Sequence, residues 1–278
     1  MSDPAGPTIP DGLRWEVANG IGRLTIDRPD AGNALTPDVR NAIIDVLGWA
    51  SADLGVRVVV LGATGRHFCT GADLRAAQPP GPARPDGAPE RAVGDIARTI
   101  RTGAQRLVSA VLDCEKPVVA AVGGTAAGIG AHLALAADIV VASADARFIE
   151  VFVRRGITPD GGGAWLLPRL VGVARAKELL LLGDDLSAAD AERIGLITRC
   201  VPAEEFEACV DDYARRLAAG PTKALSLAKW LVNRSLDTDR SGAFDDEAWA
   251  QELASRTDDF TEGVSAFVER RDPTFRGW

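Results

Sequence analysis

The stretch GRHFCTGADL, residues 65–74, follows a predicted buried strand and places small residues in a short loop. A second stretch, GGTAAGIGAH at residues 123–132, also follows a predicted strand and opens a predicted helix. Small residues allow backbone N–H groups to approach a ligand closely, and a helix N-terminus adds unpaired donors. Two donors that face one point form an oxyanion hole. The two stretches therefore indicate either an anion-stabilising site or tight packing between strands and helices.

The surrounding pattern predicts an α/β protein. Asn19-Gly20 between two alternating runs predicts a hairpin. Apolar runs predict buried strands at 57–61, 117–122 and 139–142, with helices near 93–112 and 129–136 between them. Strands that alternate with helices are typical of a parallel sheet with crossover connections. From residue 203 onward the pattern is helical.

Composition disfavours several classes of function. Among the 278 residues, 31 Lys and Arg stand against 39 Asp and Glu, for a net charge of −8. This charge disfavours binding to nucleic acid or to an anionic membrane. Four cysteines without metal-ligand spacing and two histidines predict no metal site. The absence of a long apolar run predicts no membrane span. Free thiols in a chain without a secretory signal predict a location in the reducing cytoplasm.

The loop at residues 65–74 resembles the Phe-Cys-x-Gly-x-Asp-Leu motif of the crotonase (enoyl-CoA hydratase/isomerase) superfamily. Further motifs follow in the family's order: KPVVAAV (116–122), GITPDGGG (156–163), LPRLVG (167–172) and FVERRDPTFR (267–276). The resemblance covers nearly everything after residue 12. It implies the crotonase (ClpP/crotonase-like) fold of repeated ββα units, with a flexible tail at 1–12, a core at 13–202 and a helical trimerisation region at 203–278.

The same resemblance implies an acyl-CoA thioester substrate. The thioester oxygen would accept hydrogen bonds from the N–H groups of Ala72 and Ile129, which would stabilise an enolate. The family usually has Gly at the second position, but only the backbone donates. No separate cofactor is expected, because coenzyme A is part of the substrate. The expected assembly is a homotrimer or a dimer of trimers.

The acid and base groups depart from the hydratase pattern. Hydratases of this family carry two glutamates, and the matching positions here hold His132 and Phe152. Asp160 stands where some isomerases of the superfamily place a catalytic aspartate, and the surrounding residues most resemble the phenylacetate-pathway isomerase branch. Burial near Phe152 and Trp165, the expected acyl pocket, would raise the pKa of Asp160.

Each of these residues also has a structural interpretation. Asp160 could cap a helix that opens at Gly161. His132 could satisfy a backbone carbonyl, or it could hold substrate or assist proton transfer. Glu150, two residues before Phe152 in what is expected to be an extended stretch, would share its face and is a candidate backup base.

For the coenzyme A portion, the resemblance points to a set of residues spread along the chain. The adenine would lie beside Asn33, Ala34 and Leu35, and the pantetheine along Asp73 and Leu74. Arg75 and Arg28 are candidate phosphate partners, and Arg276 matches a family residue that meets the 3′-phosphate, often from a neighbouring subunit. A loop at 76–89 would line or cover the acyl pocket.

The sequence therefore predicts an acyl-CoA isomerase that shifts a double bond, or rearranges a ring epoxide, with Asp160 as proton shuttle. One alternative is a hydratase or hydrolase that uses water held by His132. Another is a non-catalytic acyl-CoA-binding homologue. RNA binding, known in a side branch of the family, is disfavoured by the net charge of −8.

Overall fold

The computed structural model describes residues 6–76, 83–90 and 92–278. Within these residues, the larger sheet has six strands in the order β1-β2-β3-β4-β6-β9. The first pair is antiparallel and the remaining neighbours are parallel. The strands are β1 (Leu13–Ala18), β2 (Ile21–Ile26), β3 (Val58–Ala63), β4 (Val118–Val122), β6 (Ile139–Ser143) and β9 (Arg199–Val201).

The hairpin prediction is confirmed. Strands β1 and β2 pair in register around Asn19 and Gly20, which have φ values of 53° and 77°. Both residues therefore adopt the left-handed conformation that a two-residue hairpin turn of this type requires. The three buried strands predicted at 57–61, 117–122 and 139–142 correspond to β3, β4 and β6.

A second sheet was missed by the sequence analysis. It consists of β5 (Thr125–Ala127), β7 (Arg147–Ile149) and β8 (Asp185–Ser187). β5 pairs with β7 in parallel, and β7 pairs with β8 in the antiparallel direction. Strands of three residues are too short to show the alternation that marks a strand in sequence.

Helices cover both faces of the larger sheet. On one face, α1 (Pro37–Ala52), α3 (Arg106–Leu112) and α4 (Ile129–Leu135) contribute to the main hydrophobic core. The predicted helix at 93–112 is observed as α2 (Asp95–Ile100), a π-helical turn at Arg101–Gln105, and α3. The Thr36 side chain accepts a hydrogen bond from Val39 N–H and caps α1. Thr followed by Pro37 and Asp38 is a sequence pattern typical of a helix start.

The remaining helices begin with α5 (Gly163–Leu182), which is interrupted at Gly172, and α6 (Ala188–Arg193). α7 (Phe206–Ala219) covers the other face of the sheet through a valine-rich cluster. Three more helices follow: α8 (Thr222–Ser235), α9 (Arg240–Ala254) and α10 (Asp258–Glu269). Among the residues that the structure describes, no helix is long and apolar enough to cross a bilayer.

The C-terminal residues are held against the body of the protein by one buried carboxylate. Asp259, which is 4% exposed, accepts hydrogen bonds from the N–H groups of Arg276 (2.6 Å) and Gly277 (2.8 Å). The Arg57 guanidinium also donates to the Phe275 carbonyl oxygen at 3.1 Å. The tail is thereby fixed near the N-terminal end of β3, because Arg57 directly precedes that strand.

We predict that Asp259→Asn lowers the free energy of unfolding by about 1–3 kcal/mol, because the amide has one acceptor oxygen and leaves one buried N–H unpaired. Asp258→Asn is the matched control, since this exposed neighbour lies in the same first turn of α10. The control removes the same charge from the helix N-terminus and should cost only about 0.3–1 kcal/mol. Urea unfolding of both variants measures the difference, and equal losses would contradict the anchoring role.

Candidate active site

The loop after β3 lies directly against the start of α4. Cys69 N–H donates to the Thr125 carbonyl oxygen at 3.0 Å, and Ala127 N–H donates to the Cys69 carbonyl oxygen at 2.9 Å. Gly130 permits this approach, because a Cβ at that position would lie 2.3 Å from the Cys69 oxygen. The two stretches that the sequence singled out are therefore neighbours in space.

The two predicted oxyanion donors carry backbone N–H groups without acceptors in the described part of the chain. Leu35 N–H donates to the Gly71 carbonyl oxygen, and Asp73 N–H donates to the Leu35 carbonyl oxygen. This parallel bridge uses the groups on either side of Ala72 and leaves Ala72 N–H without an acceptor. In α4, the first i to i−4 hydrogen bond runs from His132 N–H to the Gly128 oxygen, so Ile129 N–H precedes the helical ladder. The oxyanion assignment of Ala72 and Ile129 stays a prediction.

His132 is fully buried and is held by an ionisable partner. Its Nε2 lies 2.9 Å from Oε2 of Glu150, which is 5% exposed. Its ring stacks on Phe152, with centroids 5.2 Å apart and planes 16° apart. The opposite ring nitrogen, Nδ1, is buried without a hydrogen-bond partner. The interpretation that His132 satisfies a backbone carbonyl with its ring is therefore wrong.

The pairing of His132 with Glu150 is the feature that sequence reasoning missed. Glu150 was expected in an extended stretch, but the chain turns after β7, and Phe152 has φ −58° and ψ −51°. The residues meet because β5 and β7 are parallel, with Ala127 opposite Ile149. Each member of the pair follows one of these two strands. If these two short strands had been recognised in the sequence, their pairing would have predicted that His132 and Glu150 lie close together.

Asp160 lies half-buried just before α5. Burial raises the pKa of its carboxyl group. The alternative that Asp160 caps a helix at Gly161 is wrong, because α5 begins at Gly163 and no side chain caps it. The catalytic role of Asp160 stays a prediction.

The segment after Asp160 packs tightly on α4. A Cβ at Gly161 would lie 2.2 Å from Cδ1 of Ile129 and 3.0 Å from Nδ1 of His132. A Cβ at Gly163 would lie 2.2 Å from Nε2 of His132. These glycines therefore bring the chain beside Asp160 into contact with both the first residue of α4 and the buried imidazole.

The two residues predicted to form the acyl pocket occupy different places. Trp165 lines a groove of about 760 Å³ between α3, α8 and the start of α5. The Arg169 guanidinium stacks on the Trp165 ring, 4.2 Å from its centroid. Phe152 is buried against His132 instead. The predicted loop at 76–89 lies partly outside the described residues, and its described part, residues 76 and 83–89, forms neither helix nor strand.

The structure brings together most of the residues predicted to bind coenzyme A. Leu35 pairs with Ala72 across a short parallel bridge. Asn33, with φ 55°, donates from its side chain to the carbonyl oxygens of Thr64 (2.7 Å) and His67 (2.5 Å). This residue therefore fixes the backbone of the 33–35 segment.

Charge along this segment is partly neutralised within the protein. A hydrogen bond from Arg28 holds the pKa of Asp73 below its ordinary value. The same Arg28 guanidinium donates to the Ala34 carbonyl oxygen. Leu74 and Arg75 are exposed. The coenzyme A roles of these residues stay predictions.

Arg276 is not beside these residues within one chain. It lies in the tail that Asp259 anchors near the start of β3, whereas the loop with Ala72 follows the end of that strand. The contribution of Arg276 to coenzyme A binding, expected from a neighbouring subunit, stays a prediction.

Burial disfavours thiolate chemistry at Cys69. Burial raises the pKa of the Cys69 thiol to about 12, so the nucleophilic thiolate is scarce. In residues 6–76, 83–90 and 92–278, no cluster of three or more His, Cys, Asp or Glu side chains has the arrangement of a metal site.

The family profile described as enoyl-CoA hydratase/isomerase matches residues 16–277. The chain belongs to this family. It is thus an enzyme of the crotonase superfamily, and the resemblance inferred from the motifs is confirmed.

Within the enoyl-CoA hydratase/isomerase family, some relatives of this chain are named hydratases and others isomerases. The chain is 38% identical over 265 residues to a probable enoyl-CoA hydratase from Rhodobacter capsulatus, covering 95% of this chain and 98% of the relative. It is 38% identical over 263 residues to the 1,2-epoxyphenylacetyl-CoA isomerase of Escherichia coli (strain K12), covering 94% and 97%.

Solved structures of the same family share the fold of this chain. The crystal structure of an enoyl-CoA hydratase/isomerase from Cupriavidus metallidurans CH34 superposes with a TM-score of 0.84 at 34% identity. The match covers 96% of this chain and 97% of that chain. The predicted crotonase fold is confirmed.

We predict that Gly130→Ala lowers the free energy of unfolding of this family member by about 1–3 kcal/mol, because the added methyl overlaps the Cys69 backbone. The control is Gly48→Ala in α1, where a Cβ meets nothing within 4 Å. Removing that helical glycine should stabilise the protein by about 0.5–1 kcal/mol. Urea unfolding of the two variants checks the opposite signs, and a neutral Gly130→Ala would contradict the close contact.

Proposed function

We propose that this enzyme is an acyl-CoA thioester isomerase that shifts a double bond, or rearranges a ring epoxide, through a stabilised enolate. The observation that carries the proposal is one half-buried carboxylate, Asp160, on a segment packed against Ile129. By resemblance, His132 and Phe152 occupy the two positions where hydratases carry glutamates. The 38% sequence identity with a 1,2-epoxyphenylacetyl-CoA isomerase supports an isomerase activity.

The double-bond shift needs one base that acts at two carbons. The thioester oxygen accepts hydrogen bonds from Ala72 N–H and Ile129 N–H, and the Asp160 carboxylate removes a proton from the α-carbon of a 3-enoyl thioester. The C–H electron pair enters the conjugated enolate, whose negative charge the two amides stabilise. Asp160 then returns the proton to the γ-carbon, and the double bond lies between the α- and β-carbons.

The environment of Asp160 suits both steps. Burial raises the pKa of the carboxyl group, which makes its ionised form a stronger base. A general base whose pKa is closer to the working pH transfers protons more efficiently. The oxyanion donors contribute about 3–4 kcal/mol each in comparable sites.

The proposal extends to the rest of the ligand and to the assembly. Asn33, Ala34, Leu35, Asp73, Leu74 and Arg75 would border coenzyme A, which is itself part of the substrate, so that no resident cofactor is required. A homotrimer or a dimer of trimers would let Arg276 of one subunit meet the 3′-phosphate bound by its neighbour. The expected location remains the cytoplasm.

Hydration is the second candidate. The unpartnered Nδ1 of His132 offers an acceptor that can hold a water molecule. The 38% sequence identity with a probable enoyl-CoA hydratase also favours this reaction. Both reactions use the same pair of backbone amides and differ in whether water is added.

We predict that Asp160→Asn lowers kcat for isomerisation at least about 100-fold and leaves KM within several-fold, because the amide cannot accept the substrate proton. The control is Asp184→Asn, which removes the same charge from an exposed position. In the unsubstituted enzyme, kcat/KM should fall as the pH drops through the raised pKa of Asp160, since only the carboxylate is a base. Steady-state kinetics across pH measures both effects, and full turnover by Asp160→Asn would reject the role.

We predict that a 3-enoyl-CoA substrate gives a 2-enoyl-CoA product of identical mass in ordinary water. Mass spectrometry of the products distinguishes the candidates. A product heavier by one water indicates hydration, and release of free coenzyme A indicates hydrolysis. Tight binding without turnover of any ester would identify a non-catalytic acyl-CoA-binding protein.

A further inference from the structure

We infer that Glu150 is a positioning residue that fixes the tautomer of His132, so that the bare Nδ1 accepts a hydrogen bond from the acid form of Asp160. This inference deepens the proposed function and rests on it for the role of Asp160. The functional unit would then consist of three side chains in which only Asp160 touches the substrate.

The contact between His132 and Glu150 defines which nitrogen carries the proton. A carboxylate only accepts hydrogen bonds, so the 2.9 Å contact with Glu150 places the proton on Nε2. The neutral ring then has a lone pair on Nδ1, the atom that is buried without a partner. A protonated Glu150 or an imidazolium would instead leave a buried Nδ1–H unpaired, and orphaned N–H groups are rarer than orphaned acceptors.

The ring has little freedom to turn away from this arrangement. Phe152 stacks on one face of His132. The backbone at Gly161 and Gly163 lies so close to the ring that an added Cβ would be 3.0 Å from Nδ1 and 2.2 Å from Nε2. Packing therefore fixes the plane of the ring, and Glu150 fixes the position of its proton.

Nδ1 faces the segment that carries Asp160. Gly161, the residue directly after Asp160, lies against Nδ1, because an added Cβ there would be 3.0 Å from that atom. The titratable groups placed next to the His132 ring are Glu150, whose Oε2 lies 2.9 Å from Nε2, and Asp160, the chain neighbour of Gly161. Cys69 packs at Gly130 and is a neutral thiol at physiological pH.

This arrangement gives the proton shuttle a defined resting place. When Asp160 removes a proton from the substrate carbon, its new O–H donates a hydrogen bond to Nδ1 of His132. The proton remains bound to the Asp160 oxygen until it is transferred to the γ-carbon. Throughout, Nε2–H of His132 donates its hydrogen bond to Glu150. The acid form of Asp160 is thereby held in one orientation between the two proton transfers.

Nitrogen NMR tests the tautomer without reference to activity. The chain has two histidines, so ¹⁵N-histidine labelling gives two imidazoles, and His67→Gln assigns them. At neutral pH we expect a protonated, pyrrole-like Nε2 and an unprotonated, pyridine-like Nδ1 for His132. Glu150→Gln and Glu150→Leu should disturb this pattern. A protonated Nδ1 in the unsubstituted protein, or an unchanged pattern in both variants, would overturn the inference.

A double-mutant cycle tests the route of action. Glu150→Gln should lower kcat at least about tenfold with KM within several-fold, as for other carboxylates that orient a histidine. In a His132→Gln background, the same change should alter kcat less than about twofold, because interacting residues are not additive. His132→Gln retains an N–H that can donate to Glu150, and urea unfolding of each variant reports its stability.

Equal losses in the two backgrounds would show that Glu150 acts independently of His132 and would overturn the inference. Failure of the isomerase proposal has a different signature. It appears as full turnover by Asp160→Asn or as a hydrated product, while the tautomer of His132 is read from the nitrogen spectrum alone.

Discussion

The close contact between the Cys69 loop and the β5–α4 segment is the constraint on which the site depends. Two backbone hydrogen bonds of 3.0 and 2.9 Å join Cys69 to Thr125 and Ala127, and Gly130 has no side chain to separate them. Because these bonds involve main-chain atoms, they fix the positions of the nearby amides directly. The identity of the side chain at position 129 then matters little to the donor itself.

The site also follows from the direction of the strands. Ala72 follows β3, Ile129 follows β5, and Glu150 follows β7, so the two proposed amide donors and Glu150 all lie beyond the carboxyl ends of strands. Open α/β sheets commonly bind ligands outside these ends. Arg276 lies instead near the beginning of β3. This position is consistent with the expectation that Arg276 meets the ligand of a neighbouring subunit.

Burial of His132 with Glu150 has a physical cost that an apolar pair would avoid. Removing a carboxylate from water is unfavourable, and pairing offsets that cost only when the geometry is good. Here the pair sits in the apolar core with one short contact and a stacked aromatic ring. Such a pair adds orientation more than stability, which is consistent with the positioning role that we infer.

The sequence by itself determined the local features: the Asn19-Gly20 hairpin, the Thr36 cap, and the two loops that carry the free amides. Each depends on residues adjacent in the chain, whose conformational preferences act without the rest of the fold. Only the tertiary structure decided that Asp160 is no helix cap and that His132 meets Glu150, 18 positions away. Pairing of the three-residue strands β5 and β7 brings these side chains together, and strands so short leave no periodic signal in the sequence.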